Sequence, residues 1–213
     1  MTMTASQYER AIFGPRDPVL DNILRRSLGD EAMPTIQVDD GAGRVLSMLT
    51  MLRAPRRALE IGTLFGYSAI HVARALNPGS MLISIEIDAR AAEVARRNVA
   101  EAGLAHAVEI VTADAIEYLG HDVGEFDLVF IDGEKRSYPD YLKACYPLLS
   151  DGAVLIADDA FGTGDYLGEA GDVDEAQQAI TAYNRAVARA PYLYSAFVGT
   201  MAGMIVSVKR ARA

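Results

Sequence analysis

Acidic residues mark the ends of five short apolar runs, and they are the residues of this sequence best suited to binding a ligand. Short apolar runs that alternate with helical patterns indicate buried parallel strands. In an open parallel sheet, ligands bind outside the carboxyl ends of the strands. We therefore expect these acids to surround one crevice, where they can accept hydrogen bonds or hold a hard cation. The acids are Glu60, Glu86, Asp114, Asp132, Asp158 and Asp159.

The stretch Ala58–Ser68 predicts a strand, a tight turn and the start of a helix. Gly62 and Gly66 would let the backbone turn sharply and let a ligand approach it closely. The spacing is not the G-x-G-x-x-G of dinucleotide-binding proteins, because Glu60 stands where the first glycine would be. A carboxylate there repels a pyrophosphate and favours a cationic ligand. The alternative is an ordinary strand–turn–helix connection, in which the glycines serve only the turn.

Two acids are suited to hydrogen-bonding a nucleoside. Glu86 lies one strand–helix unit after the glycine turn, where an acid can accept hydrogen bonds from both hydroxyls of a ribose. Asp114 follows the third strand and could accept from an amino group such as that of adenine. In the alternative interpretation, Glu86 stabilises a helix dipole and Asp114 caps the helix that follows it.

The acids Asp132, Asp158 and Asp159 end two strands that are predicted to be neighbours. Three carboxylates close together cannot all stay ionised without a cation, and hard oxygen ligands suit Mg²⁺, or another divalent cation such as Ca²⁺ or Mn²⁺. Lys135 lies three residues after Asp132. Beside a divalent cation the pKa of this lysine would fall, so that it could accept a proton. In the alternative interpretation, one acid caps a helix, the others are solvated, and Lys135 is a surface charge.

The composition excludes several classes of protein. The chain has 213 residues and a net charge of −9, which disfavours binding to nucleic acids and to anionic membrane surfaces. A single cysteine, Cys145, excludes an internal disulfide and a cysteine zinc cluster, and its apolar surroundings predict a buried thiol. The sequence contains no apolar run of transmembrane length and no signal-peptide pattern. We therefore expect a cytoplasmic protein.

The order of the predicted elements indicates one α/β domain over residues 1–213, with an N-terminal helical lid region over residues 1–38. Five strand-then-helix units predict a doubly wound parallel sheet with helices on both faces. The last two strands are joined too briefly for a parallel crossover and predict an antiparallel hairpin. The strands are predicted at Arg57–Ile61, Met81–Glu86, Val108–Thr112, Phe126–Ile131, Ala153–Ala157, Tyr192–Val198 and Met204–Lys209. The helices are predicted at Ala5–Phe13, Pro18–Leu28, Asp39–Leu52, Gly66–Leu76, Ala89–Ala102, Ala115–Leu119, Tyr138–Leu149 and Val173–Ala190.

Taken together, these motifs resemble those of the cation-dependent, S-adenosylmethionine-dependent O-methyltransferases, the group that includes catechol and caffeoyl-coenzyme A O-methyltransferases. The resemblance is strongest over residues 33–160. It implies a Rossmann-like methyltransferase sheet of seven strands with the last one antiparallel, a small phenolic or catechol-like substrate, and a homodimer. The motifs that carry it are Leu59–Ser68, Ser84–Asp88, Phe126–Asp132 and Ala157–Asp159.

The resemblance also implies a role for each matched residue. Val38, Glu60, Gly62 and Ser68 hold the methionine part of the methyl donor, Glu86 holds its ribose, and Ile87, Asp114 and Ala115 surround its adenine. Asp132, Asp158 and Asp159 are implied metal ligands, with Asp132 also beside the donor. Lys135 and Asp132 are the implied catalytic residues, with Lys135 close to the acceptor hydroxyl.

This sequence departs from the family pattern at two places. Asp159 stands where the family usually has asparagine, and Ala202-Gly203 stands where an acid commonly precedes the glycine of the last hairpin. Both changes concern the acceptor side of the site. Two other functions stay open from the residues alone: a nucleotide-binding oxidoreductase of similar layout, and a non-catalytic module that binds S-adenosylmethionine.

Overall fold

The computed structural model describes residues 5–14, 17–162 and 174–211, and in it seven strands form one sheet. The sheet has the order β3-β2-β1-β4-β5-β7-β6. Strands β1 to β5 are parallel, whereas β7 is antiparallel to both β5 and β6. This topology confirms the predicted doubly wound α/β fold with an antiparallel final strand. The strands are β1 Arg57–Ile61, β2 Met81–Glu86, β3 Val108–Thr112, β4 Phe126–Ile131, β5 Leu149–Ala157, β6 Leu193–Val198 and β7 Met204–Lys209.

Helices cover both faces of this sheet. Alternate residues of β4 point into two separate apolar clusters, with Leu128 and Phe130 in one and Val129 and Ile131 in the other. That pattern is expected of a strand buried on both faces. Within the described residues, none of the helices has the length and apolar character that crossing a membrane requires. The helices are α1 Ala5–Phe13, α2 Pro18–Leu28, α3 Asp40–Arg53, α4 Tyr67–Arg74, α5 Ala89–Glu101, α6 Ala115–Leu119, α7 Tyr138–Cys145 and α8 Glu175–Arg189.

The segment between α7 and β5 differs from the sequence prediction. A single helix was expected over Tyr138–Leu149, but α7 ends at Cys145 and a 3₁₀ turn occupies Tyr146–Leu148. Pro147 explains the end of the α-helix, because its nitrogen carries no N–H to donate the next helical hydrogen bond. Strand β5 then starts at Leu149, four residues earlier than predicted, with a register shift against β4.

Cys145 lies in the apolar core, as predicted. Its side chain has no exposed surface, and burial raises the pKa of its thiol to about 12. A thiol that stays protonated at neutral pH is a poor nucleophile. Cys145 therefore serves packing.

Helix α2 belongs to the predicted N-terminal lid region, and the structure packs it against α5. Asp17 caps α2 by accepting hydrogen bonds from the backbone N–H of Val19 at 2.8 Å and of Leu20 at 3.2 Å. The Asn98 side chain donates to the Ser27 hydroxyl at 3.1 Å. These contacts give α2 a defined position, and the closure of residues 1–38 over an acceptor stays a prediction.

Gly62 forms the turn between β1 and α4 and brings the ends of β1 and β4 together. Its φ is +95°, and a Cβ built on it would lie 2.3 Å from the backbone oxygen of Asp132. Glycine is therefore needed both for the left-handed backbone and for the close approach of the two strands. The turn thereby sets the position of Asp132 at the edge of the sheet.

We expect Gly62→Ala to lower the free energy of unfolding by about 2–5 kcal/mol, through backbone strain and overpacking. Gly79→Ala is a matched control, since Gly79 has a φ of +83° and no described atom within 4 Å of a built Cβ. The control should lose only the strain component, about 1–2 kcal/mol. Urea unfolding of both variants measures the difference, and equal losses would contradict the crowding at Gly62.

Candidate active site

A cavity of about 640 Å³ opens at the carboxyl ends of the parallel strands, where the sequence predicted a ligand crevice. Most of the predicted site residues line it. They are Val38, Gly62, Ser68, Glu86, Ile87, Asp114, Ala115, Asp132, Lys135 and Asp159. Two predicted residues, Glu60 and Asp158, are buried just behind this lining. The structure therefore brings the predicted donor residues and the predicted metal residues to one cavity.

Glu86 is held at the mouth of this cavity by two backbone donors. Its Oε2 accepts from the N–H of Leu64 at 2.7 Å, and its Oε1 accepts from the N–H of Asp88 at 2.9 Å. Asp88, and not Glu86, caps α5 by accepting from the N–H of Ala91 at 2.8 Å. Each carboxylate oxygen can accept more than one hydrogen bond, so both oxygens of Glu86 retain capacity for a pair of ligand hydroxyls.

Asp114 combines the two interpretations offered for it. Its Oδ1 accepts from the N–H of Glu117 at 2.9 Å and so caps α6, while the residue also lines the cavity. The capping interpretation is confirmed. A contact with the amino group of a ligand stays a proposal.

Glu60 lies in the middle of the sheet, below the floor of the cavity. Its side chain is fully buried, the Ser84 hydroxyl donates to its Oε2, and its Oε1 has no hydrogen-bond partner in the described part of the chain. Burial raises the pKa of this carboxyl to about 7, although the Ser68 and Ser84 hydroxyls favour its ionised form. A buried carboxylate oxygen without a partner is costly, and a cationic ligand group above it would remove that cost.

The raised pKa of Glu60 makes stability depend on pH with a definite sign. The protonated carboxyl of Glu60 contributes its full stabilisation of the folded state below the ordinary pKa of 4.5. This stabilisation is lost as pH rises through about 7, because the carboxyl ionises at a lower pH in the unfolded chain than in the folded protein. The glutamine of Glu60→Gln cannot ionise. We therefore expect the melting temperature of wild type to fall relative to that of Glu60→Gln between about pH 5 and about pH 8. Melting curves of both proteins measure this difference. Curves that stay parallel over that range would show that Glu60 ionises without cost.

The second group of acids meets where β4 and β5 end. Oxygens of Asp132, Asp158 and Asp159 lie within 4.8 Å of one another. The backbone register sets this proximity, since the N–H of Asp158 donates to the carbonyl of Ile131 at 3.1 Å. Asp159 has a φ of +53°, a left-handed conformation that aspartate and asparagine adopt more readily than most residues. The predicted cluster of carboxylates is therefore present in the fold.

This cluster fits a hard divalent cation. Asp158 is 5% exposed, and no described residue forms a hydrogen bond with its Oδ1. Burial raises the pKa of Asp132 and of Asp158, and repulsion among the three acids adds to the shift at both residues. A cation would satisfy the free oxygen and relieve the repulsion. An all-oxygen donor set suits Mg²⁺, Ca²⁺ or Mn²⁺.

Lys135 reaches directly into this cluster. Its Nζ lies 2.7 Å from Asp132 Oδ1, 2.9 Å from Asp159 Oδ2 and 3.0 Å from the Tyr138 hydroxyl. Burial disfavours the charged lysine, but Tyr138 and the two carboxylates outweigh it, and the pKa of Lys135 is raised. The two acids themselves thus stabilise the ammonium. A lowered pKa of Lys135 beside a bound cation stays a prediction.

Sequence reasoning missed Tyr138, which it assigned only to a helix. The side chain is fully buried and donates a hydrogen bond to the carbonyl of Asp158 at 3.1 Å, while its oxygen accepts from Lys135. The spacing of three residues from Lys135 is the signal that could have identified it. The sequence assigned no site role to the other cavity residues, which are Ile36, Gln37, Ile61, Thr63, Leu64, Tyr67, Ile85, Ala113, Gly133, Glu134, Ser137 and Tyr141.

The tip of the last hairpin, where the resemblance implies an acid that this sequence lacks, packs against the segment after Asp159. The N–H of Ala160 donates to the carbonyl of Gly203 at 2.9 Å, and the N–H of Phe161 to the carbonyl of Ala202 at 3.2 Å. Backbone hydrogen bonds thus join Ala202 and Gly203 to the two residues that follow Asp159. The sequence also predicts a long polar, glycine-bearing loop over residues 158–172, of which the structure describes residues 158–162.

The sequence model of the family described as O-methyltransferase matches residues 13–210 of this chain. Catechol O-methyltransferase of Niastella koreensis is 39% identical over 147 residues, which cover 67% of this chain and 66% of that relative. Catechol O-methyltransferase of Mycobacterium tuberculosis is 38% identical over 159 residues, covering 74% of this chain and 72% of that relative.

Solved structures agree with this assignment. The O-methyltransferase from Bacillus cereus, determined in complex with SAH, superimposes with a TM-score of 0.91 at 28% identity and covers 98% of each chain. The chain therefore belongs to the O-methyltransferase family of S-adenosylmethionine-dependent enzymes.

Proposed function

We propose that this enzyme transfers a methyl group from S-adenosylmethionine to a hydroxyl of a small catechol-like acceptor, assisted by a divalent cation. The observation that carries the proposal is that Asp132, Lys135 and Asp159 line the same cavity as Glu86. A donor held at Glu86 and an acceptor held at the carboxylates would therefore share one space. The two relatives named catechol O-methyltransferase support this class of acceptor.

The donor would lie along the glycine turn, and it supplies the methyl group from a sulfonium. Glu86 would accept hydrogen bonds from the ribose hydroxyls, while Ile87, Asp114 and Ala115 would surround the adenine. Val38, Gly62 and Ser68 would contact the methionine part, with the buried charge of Glu60 below them. The acidic residues at the strand ends suit a donor that carries positive charge.

Asp132, Asp158 and Asp159 would hold the cation, with Asp132 facing both cation and donor. When bound, a divalent cation would lower the pKa of the two neighbouring acceptor hydroxyls. Lys135 would take up or stabilise the hydroxyl proton at its Nζ. The Tyr138 hydroxyl, 3.0 Å from Nζ, would keep the lysine in position. Fixing the acceptor oxygen in line with the donor methyl can contribute about 7–11 kcal/mol.

We also propose a single domain over residues 1–213, a cytoplasmic location and, from the family resemblance, a homodimer. The net charge of −9 supports a protein that binds neither nucleic acid nor membranes. Sedimentation at micromolar concentration would measure the oligomeric state.

Glu86→Ala should weaken binding of S-adenosylmethionine about 10- to 150-fold, because it removes a charged hydrogen-bond acceptor worth about 1.5–3 kcal/mol. Calorimetric titration measures the dissociation constant. Glu93→Ala, which removes an exposed acid of α5, is the control and should bind as wild type does. An unchanged dissociation constant in Glu86→Ala would remove Glu86 from the donor site.

A mass-spectrometric screen for the gain of one methyl group tests the proposed function. Small catechols and flavonoids should gain a methyl group in the presence of S-adenosylmethionine and Mg²⁺. A lack of product across the whole set, with the donor still bound, would favour the non-catalytic alternative. Stabilisation by NAD in place of S-adenosylmethionine would favour the oxidoreductase alternative.

A further inference from the structure

Lys135 pairs with two of the three carboxylates that the proposed cation would need. Its Nζ bridges Asp132 Oδ1 at 2.7 Å and Asp159 Oδ2 at 2.9 Å. Asp158 is the third acid, and its Oδ1 has no hydrogen-bond partner among the residues described. The ammonium of Lys135 thus partly neutralises the charge of the three acids.

The ammonium is held in place by more than these two ion pairs. The Tyr138 hydroxyl lies 3.0 Å from Nζ, and the Tyr138 ring centroid lies 5.2 Å from it. Tyr138 is in turn anchored by its hydrogen bond to the carbonyl of Asp158. The Lys135 side chain is only 23% exposed, so water screens its ion pairs less than it would at an open surface.

The charge of Asp159 strengthens this arrangement. Asparagine at this position would still offer a carbonyl oxygen to a cation, but it would hold an ammonium less tightly, because its oxygen carries no net charge. Aspartate attracts both kinds of cation. The Asp159 side chain therefore favours binding of a divalent cation and also favours the ion pair with Lys135.

We infer that Lys135 and the divalent cation compete for Asp132 and Asp159, so that binding of the cation releases Lys135 from both carboxylates. This inference rests on the metal role given in the proposed function. Two cations cannot share the same oxygens without repulsion, and the coupling between them is reciprocal. Lys135 would then be free to interact with an acceptor proton only in the metal-loaded enzyme.

Calorimetric titration with Mn²⁺, in the absence of donor and acceptor, tests the competition. Lys135→Met should bind Mn²⁺ about tenfold more tightly than wild type, because the cation no longer displaces a charged hydrogen bond. Lys143→Met is the matched control. It removes another lysine paired to an acid three residues away, Asp140, but that pair lies on the exposed face of α7. The control should bind Mn²⁺ as wild type does.

The role of Asp159 is tested by repeating the comparison in an Asp159→Asn background. There, Lys135→Met should tighten Mn²⁺ binding by a smaller factor, since one of the two ion pairs is already lost. Lys135→Gln serves as a second variant if Lys135→Met is not folded by circular dichroism. Mn²⁺ affinity in the Lys135 variants that is equal to or weaker than in wild type would overturn the competition, whereas no Mn²⁺ binding in any protein would overturn the proposed metal role itself.

Discussion

Lys135→Met should lower the turnover number on a catechol by about 10²–10⁴-fold, the range typical of a lost general base. The physical reason is the position of Nζ, which lies beside Asp132, Asp159 and the Tyr138 hydroxyl at the wall of the shared cavity. Donor affinity should stay nearly unchanged, because Glu86 is held by the backbone N–H groups of Leu64 and Asp88 and not by Lys135. Steady-state rates and donor titrations on the same preparation separate the two effects.

The pH dependence of the rate distinguishes a proton acceptor from a lysine that merely positions its neighbours. A variant without the acceptor should lose rate and also change the shape of the pH–rate profile. Lys143→Met, with its side chain 77% exposed, should match wild type in both respects. If Lys135→Met reproduced the wild-type profile in height and shape, Lys135 would be only a structural partner of the acids.

Removal of divalent cations should stop methylation of a catechol almost completely, and addition of Mg²⁺ should restore it. Oxygens of Asp132, Asp158 and Asp159 lie within 4.8 Å of one another, and Asp158 Oδ1 has no hydrogen-bond partner among the described residues. Without the cation, the acceptor hydroxyls would keep their ordinary pKa, and no group would hold two neighbouring oxygens in line with the donor. Initial rates in chelator, and again after excess Mg²⁺ is added, measure the dependence.

The donor serves as the internal control for that experiment. Its proposed contacts lie along the glycine turn and at Glu86, so S-adenosylmethionine should still bind in the presence of chelator. Loss of donor binding together with activity would point to unfolding of the site. Full turnover in excess chelator would contradict the metal role.

Much of the fold could be predicted because local patterns and tertiary demands agree in this sequence. Strand β4 is apolar at successive positions and is buried on both faces, so its ends were predicted without error. The turn at Gly62 could be located because glycine was the residue that the left-handed backbone required. The acids at the strand ends identified the edge of the sheet where the cavity opens.

The remaining features depend on tertiary contacts that no local pattern encodes. The depth of Glu60 below the cavity follows from its pairing opposite Ser84 in the middle of the sheet. The raised pKa of Lys135 depends in part on Asp159, which only the fold brings to its ammonium. The early start of β5 reflects a register shift against β4, which periodicity within β5 alone cannot reveal.

The most direct test of the account compares catechol with phenol as acceptor, using S-adenosylmethionine with an isotopically labelled methyl group and Mg²⁺. Only catechol offers two neighbouring oxygens to the three-carboxylate site. We predict that mass spectrometry will find the labelled methyl on one hydroxyl of catechol and none above background on phenol. Methylation of phenol as fast as that of catechol would contradict the chelation mechanism.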